Sequence, residues 1–225
     1  MSQLTEFSRL LRSKKELMLC IFLTLIFQIC ISIATMKFDE ERQILKDYNP
    51  YIVTFVFIFI LIFLIIMINN PKVSFFVKQV LFVLISILFG LLLSQLVHII
   101  NDKKVVKAAA ISTLVNFGVI LLVGFVIVYF KYDLEWMGIF LFIALLAVII
   151  TRIFILFTDK EERDKSNYYL SRITVLLFSL YIVYDTNNIL LKYKNKDKTH
   201  CIRGALDYYF DILNLFTSYL SIEGE

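Results

Sequence analysis

The chain predicts an all-α polytopic membrane protein of seven transmembrane helices, and three observations carry that prediction. Hydrophobic residues make up 60% of its 225 residues, charged ones 19%, and mean hydropathy is +0.80. A soluble chain is nearer ~45–50% apolar and ~25% charged. The apolar residues fall in blocks of the ~20 residues needed to cross hydrocarbon. The connections between blocks are short and hold most of the charge. With 6 Gly, 2 Pro and 3 Cys, neither disorder nor a disulfide-built scaffold fits. The net charge of +4 is spread among apolar blocks, which excludes a nucleic-acid footprint.

The spans lie at about 17–36, 51–68, 79–100, 108–130, 136–157, 170–191 and 204–222, within a single membrane domain over 1–225. Arg9, Arg12, Lys14 and Lys15 precede the first block, which is longer than the ~7–15 residues of a signal core, so it reads as a retained helix. Cys20, Cys30 and Cys201 show no metal or disulfide spacing and are expected to be small buried apolar residues. In the third span Ser86, Gly90, Ser94 and His98 recur every four residues, a period that suits close helix packing. Thr24, Gln28, Ser32 and Thr35 make a similar face on the first span, and Ala108, Ser112 and Asn116 on the fourth. His98 belongs at the interface, and Arg152 can snorkel from the end of the fifth span. The seventh block is only semi-hydrophobic and can cross, re-enter or lie at the surface. The connections are Lys37–Asp47, Asn101–Lys107, Asp159–Lys165 and Lys192–Arg203. The basic residues are almost evenly divided between the two sides. The densest clusters, Arg9–Lys15 and Lys192–Arg203, share one side and favour a cytoplasmic amino terminus.

Two carboxylates stand inside spans wherever the boundaries are drawn. Asp185 lies seven residues before Lys192 and Asp211 eight residues after Arg203. At 1.5 Å per residue, an antiparallel hairpin of spans six and seven sets both ~10–12 Å deep, at one height. An ionised carboxylate at such depth costs ~2.5–3.5 kcal/mol and marks a pathway or a switch. Burial and mutual repulsion favour a proton shared by the two. Without it they repel, and they offer the hard oxygens that Ca²⁺ prefers. A proton-controlled Ca²⁺ gate follows, with a polar knot that only fixes packing as the plainer reading.

Asp207, Asp211, Asn214 and Ser218 fall on one face of the last helix, and with Tyr184 they form a candidate ion path; Asp207 can equally pair with Arg203 at the interface. No phosphate-binding loop, HExxH, GxSxG or His–Cys cluster occurs, so the chain reads as a non-enzyme without a cofactor. Tyr184-Asp185 fits one motif of the intramembrane aspartyl proteases, but neither Asp207 nor Asp211 has the glycines of the other. A proton-coupled transporter is disfavoured because no span is broken by Gly or Pro.

The run Gly204-Ala205-Leu206-Asp207-Tyr208-Tyr209-Phe210-Asp211-Ile212-Leu213-Asn214-Leu215-Phe216 resembles the hallmark A-x-x-L-Y-L-D-I-I-N-L-F of the transmembrane Bax-inhibitor-motif family. Tyr184-Asp185-Thr186 is similar to its Y-D-T motif, and Lys131–Gly138 to its K-R-D-F-S-x-M-G connection. Ser112-Thr113 and Leu10–Cys20 match further family positions in the right order. The resemblance implies seven helices, or six plus a re-entrant one, with the last helix central. It implies a pH-sensitive Ca²⁺ leak of Golgi or endoplasmic reticulum membranes that lowers stored Ca²⁺ and inhibits apoptosis, with Asp185 and Asp211 as proton sensor and transient Ca²⁺ site. The Lifeguard and Golgi anti-apoptotic branch, which includes viral members, is the most similar. Expected partners are the bilayer, Ca²⁺ and protons, a second copy or death-pathway membrane proteins, and no nucleic acid. The alternative is a non-conducting adaptor that suppresses cell death by binding host or death-pathway proteins. The chain departs from the family pattern in three places. Residues 51–68 lack a basic residue, Gly90 or a neighbour stands where Lifeguard-type proteins carry a glutamate, and Asp207 replaces Asn or Ser.

Overall fold

A computed structural model describes residues 3–42, 50–155, 157–194 and 197–224. Seven helices follow in order among them: α1 (Gln3–Arg42), α2 (Pro50–Asn69), α3 (Phe75–Ile100), α4 (Lys103–Tyr129), α5 (Met137–Ile155), α6 (Lys160–Leu191) and α7 (Lys198–Glu223). Five are long and apolar enough to cross a bilayer: α1, α3, α4, α5 and the Glu162–Leu191 part of α6. Five of the expected spans lie inside these helices, while 108–130 ends one residue past α4 and 136–157 overruns α5 at both ends; several helices run beyond the apolar segment. The polar stretch before the first span is the first turns of α1, and the expected connection Asp159–Lys165 is mostly the start of α6. Hydropathy marks what lipid must cover, whereas capping sets where a helix ends. Asp102 caps α4 by accepting from Lys104 N at 2.8 Å, and Ser74 caps α3 by accepting from Val77 N at 3.4 Å. Residues 43–47 of the expected connection Lys37–Asp47 lie outside the described residues.

The chain forms two compact units. One comprises 1–15, 102–194 and 210–225, the other 16–101 and 195–209, so α7 contributes to both. In the first unit α4 and α5 both pack on α6. α5 buries a single seam, Leu141, Val148 and Ile155, and turns Ile139, Phe140, Phe142 and Ile143 outward, as a lipid-facing helix should. α6 is buried along most of its length from Leu170 through Leu177, Ile182 and Thr186 to Leu190, and leaves Ile173, Leu176 and Leu180 exposed on one face. That placement lets α6 carry polar groups which would be costly against lipid. Arg152 Nη2 extends from α5 to Thr174 Oγ1 at 3.5 Å.

In the second unit α2 packs on α3. α1 buries a seam of Leu17, Ile21, Leu25, Gln28 and Ser32, and α3 one of Phe82, Ile85, Ser86, Gly90 and Leu93. A Cβ on Gly90 would stand 2.6 Å from Ser32 O and 2.7 Å from Thr35 Cβ. The two small-residue stripes therefore meet, and they serve packing. Ser86 Oγ donates to Gln28 Oε1 at 2.7 Å, and Ser32 Oγ lies 2.6 Å from Tyr209 Oη. His98 is exposed at the end of α3, as expected.

The cysteine expectation is corrected. Cys20 and Cys201, 181 residues apart, form a disulfide that ties α1 to the first turns of α7, and Cys30 is exposed. Linear spacing carries no information about a bridge whose two ends meet only in the folded bundle.

Candidate functional site

The acidic site belongs to the first unit and is built from the last third of α6 and the second half of α7. Asp211 is only 2% exposed and Asp185 is half-buried. Tyr181, one turn before Asp185 on α6, lies within electrostatic reach of both carboxylates. Both aspartates that the depth argument selected belong to this one unit. Tyr184, beside Asp185, packs its hydroxyl end on the first turn of α5, where a Cβ on Gly138 would approach it to 2.5 Å. Thr186, on the other side of Asp185, presses on α4, and a Cβ on Gly124 would meet Thr186 Cβ at 2.8 Å.

The candidate ion-path residues separate. Asn214 is half-buried, but its Nδ2 donates to Phe210 O of the same helix at 2.8 Å. Ser218 is wholly buried, its Oγ without a hydrogen-bond partner among the described residues. Asp207 is half-buried and belongs to the second unit rather than to the one that holds Asp185 and Asp211. α7 is buried on opposite faces, Asp211 and Ser218 on one, Leu206 and Leu213 on the other. No group of three or more His, Cys, Asp or Glu side chains capable of holding a metal occurs among the described residues. What the arrangement offers is two carboxylates and phenols in a largely apolar interior.

Sequence reasoning missed two parts of this neighbourhood. Tyr181 is one of many aromatic residues in an apolar span, and nothing in its local pattern distinguishes it. Asn187 stands two residues beyond Asp185 and is fully buried. Its Nδ2 donates to Tyr132 O at 2.7 Å, and its Oδ1 accepts from Leu134 N at 3.2 Å. An Asn in the last third of a span could have flagged it, because a buried amide needs partners.

A family model described as inhibitor of apoptosis-promoting Bax1 matches residues 14–224. The chain belongs to this family, Bax1-I. Among similar proteins, Protein LIFEGUARD 1 of Arabidopsis thaliana is 30% identical over 167 residues, 73% of this chain and 69% of its own length. An uncharacterised membrane protein of Vibrio cholerae is 34% identical over 94 residues, 42% of this chain and 39% of its own. An uncharacterised protein of Helicobacter pylori is 37% identical over 94 residues, 42% of this chain and 38% of its own. The matched segments thus span about two fifths of the length of these bacterial relatives. The apolar helices and the family together make this Bax1-I chain an integral membrane protein, with relatives in bacteria and a plant.

Proposed function

We propose that this Bax1-I protein passes Ca²⁺ down its gradient across an intracellular membrane under proton control, and that it restrains cell death by lowering stored Ca²⁺. Asp185 and Asp211 act as the gate. The observation that supports the reading is that Asp211, 2% exposed, and half-buried Asp185 stand in one unit of the fold, both within electrostatic reach of Tyr181. With one proton between them, the carboxyls hydrogen-bond and hold α6 against α7. Without it, two negative charges in an apolar setting repel and attract a divalent cation. Ca²⁺ is cargo here, met by both carboxylates as it passes. The reading includes all seven helices as spans, with α7 crossing inside the bundle where its polar groups escape lipid.

The test is Ca²⁺ flux into liposomes holding the full chain, at about pH 6 and about pH 8. Wild-type flux should respond to pH, and the response should vanish in Asp185→Asn/Asp211→Asn. Protection of cells without any flux at either pH would transfer the function to the adaptor reading, in which the aspartates only hold helices together. That reading expects Asn to be tolerated at both positions and a swap of the Lys192–Arg203 connection to abolish protection.

A further inference from the structure

Asp185 is held by contacts on every residue around it. Tyr184 abuts Gly138 of α5, Thr186 abuts Gly124 of α4, and Asn187 is bonded to the connection between those helices. That connection starts at Lys131, which takes the left-handed conformation with φ 61° and closes the end of α4 through Lys131 N to Val128 O at 2.9 Å. Its middle residue, Leu134, is 9% exposed, so the segment is seated in the fold. Asn187 donates to one backbone carbonyl and accepts from one backbone amide of this single segment. Further out, Lys192 lies 3.8 Å from Asp133 and 3.3 Å from Glu135 of the same connection, but these groups are solvent-exposed. Exposed ion pairs hold little, whereas buried hydrogen bonds in an apolar interior hold more and are costly to break. Asn187 is therefore the principal tie between α6 and the α4–α5 connection.

We propose that Asn187 is a positioning residue: by clamping α6 to the α4–α5 connection through Tyr132 O and Leu134 N, it fixes the place of the Asp185 carboxylate from which a passing Ca²⁺ is held. The proposal rests on the function set out above. Both oxygen sources must stand at one point for a divalent ion to be held between helices, so a loosened α6 weakens capture before it alters the width of the path. Asn187 itself does not touch the ion.

The experiment measures flux against Ca²⁺ concentration at one fixed pH in liposomes, for wild type, Asn187→Ala and Asn116→Ala. Asn116 is a matched control in the same unit, where its Nδ2 donates to Ser179 Oγ at 3.2 Å and Tyr219 Oη at 3.0 Å. Asn187→Ala should raise the half-saturating Ca²⁺ concentration about fivefold, the effect of a lost buried hydrogen bond, and leave maximal flux within about twofold. Asn116→Ala should leave the half-saturating concentration unchanged. An equal shift in both variants would mean a merely structural role and overturn the proposal. So would an unchanged Asn187→Ala whose Leu134 amide has become freely exchanging. Where Asn187→Ala does not fold, hydrogen exchange of the wild type decides: a Leu134 amide as slow as the interior amides of α6 supports the clamp, and one as fast as an open loop overturns it. Wild-type flux that is not saturable, or that Asp185→Asn/Asp211→Asn leaves intact, overturns the proposed function itself and the clamp with it.

Discussion

Tyr209 shows how much a single side chain holds in an apolar interior. Its hydroxyl meets Ser32, and its ring packs edge-on against Phe82 and Phe89, with centroids 5.4 Å and 5.9 Å away. Tyr209→Phe keeps the rings and removes only the hydroxyl, so it should cost about 0.5–2 kcal/mol, the span of one interhelical hydrogen bond in membranes. Reversible unfolding in mixed micelles measures it, and a Tyr209→Phe variant as stable as wild type would show the contact to be incidental. Half of this cluster was legible in the chain, since Gln28, Ser32, Ser86 and Gly90 stand at helical spacing on two faces that need a partner. Which faces meet was not legible, because periodicity fixes a residue's side of its own helix and says nothing of the neighbour. Depth is a coordinate that sequence does encode, through the distance of each residue from a charged connection.

At the scale of the helix, three glycines rank by what a methyl group would strike. At Gly90 it meets a backbone carbonyl at 2.6 Å, at Gly124 the Cβ of Thr186 at 2.8 Å, and at Gly138 the hydroxyl end of Tyr184 at 2.5 Å. A backbone cannot step aside, a β-branched side chain can do so only with its helix, and a ring can tilt. Alanine should therefore destabilise most at Gly90, less at Gly124 and least at Gly138. At Gly118, where nothing lies within 4 Å, alanine should stabilise by up to ~1 kcal/mol through helix propensity. Thermal unfolding of the four variants checks the order. The start of α7 carries a pH dependence of its own. Asp197 accepts from Thr199 N at 2.9 Å and from the Thr199 hydroxyl, and these bonds hold its carboxyl below the ordinary carboxylate range. A carboxyl lower in the folded than in the unfolded chain stabilises above its unfolded value and ceases to do so as pH falls through the folded one. Amide exchange in the first turn of α7 should thus accelerate, beyond the intrinsic chemical effect, only on acidification below about pH 4, and Asp197→Asn should abolish that dependence. The spans were legible because hydrocarbon demands apolar length. The ends of the helices were not, since caps such as Asp102 lie in the polar stretches that hydropathy treats as connection.

For the whole molecule, the disulfide gives the simplest prediction. Of the three cysteines only Cys30 is free, so the denatured, unreduced chain should take up one maleimide label and the reduced chain three. Three labels before reduction would exclude the bridge. Removing it with Cys201→Ser should lower stability by ~2–4 kcal/mol, as the loss of a long-range cross-link does. The bridge also sets an order of events during synthesis. Cys20 leaves the ribosome 181 residues ahead of Cys201, and Ser32 leads Tyr209 by 177. The first helix to reach the membrane thus waits for almost the last to complete its polar face. Until then Gln28 and Ser32 must be sheltered by the insertion machinery or by α3, whose Ser86 arrives earlier. A chain halted before α7 is a membrane protein with an unfinished seam, and quality-control proteases that recognise exposed polar groups in lipid would find it there.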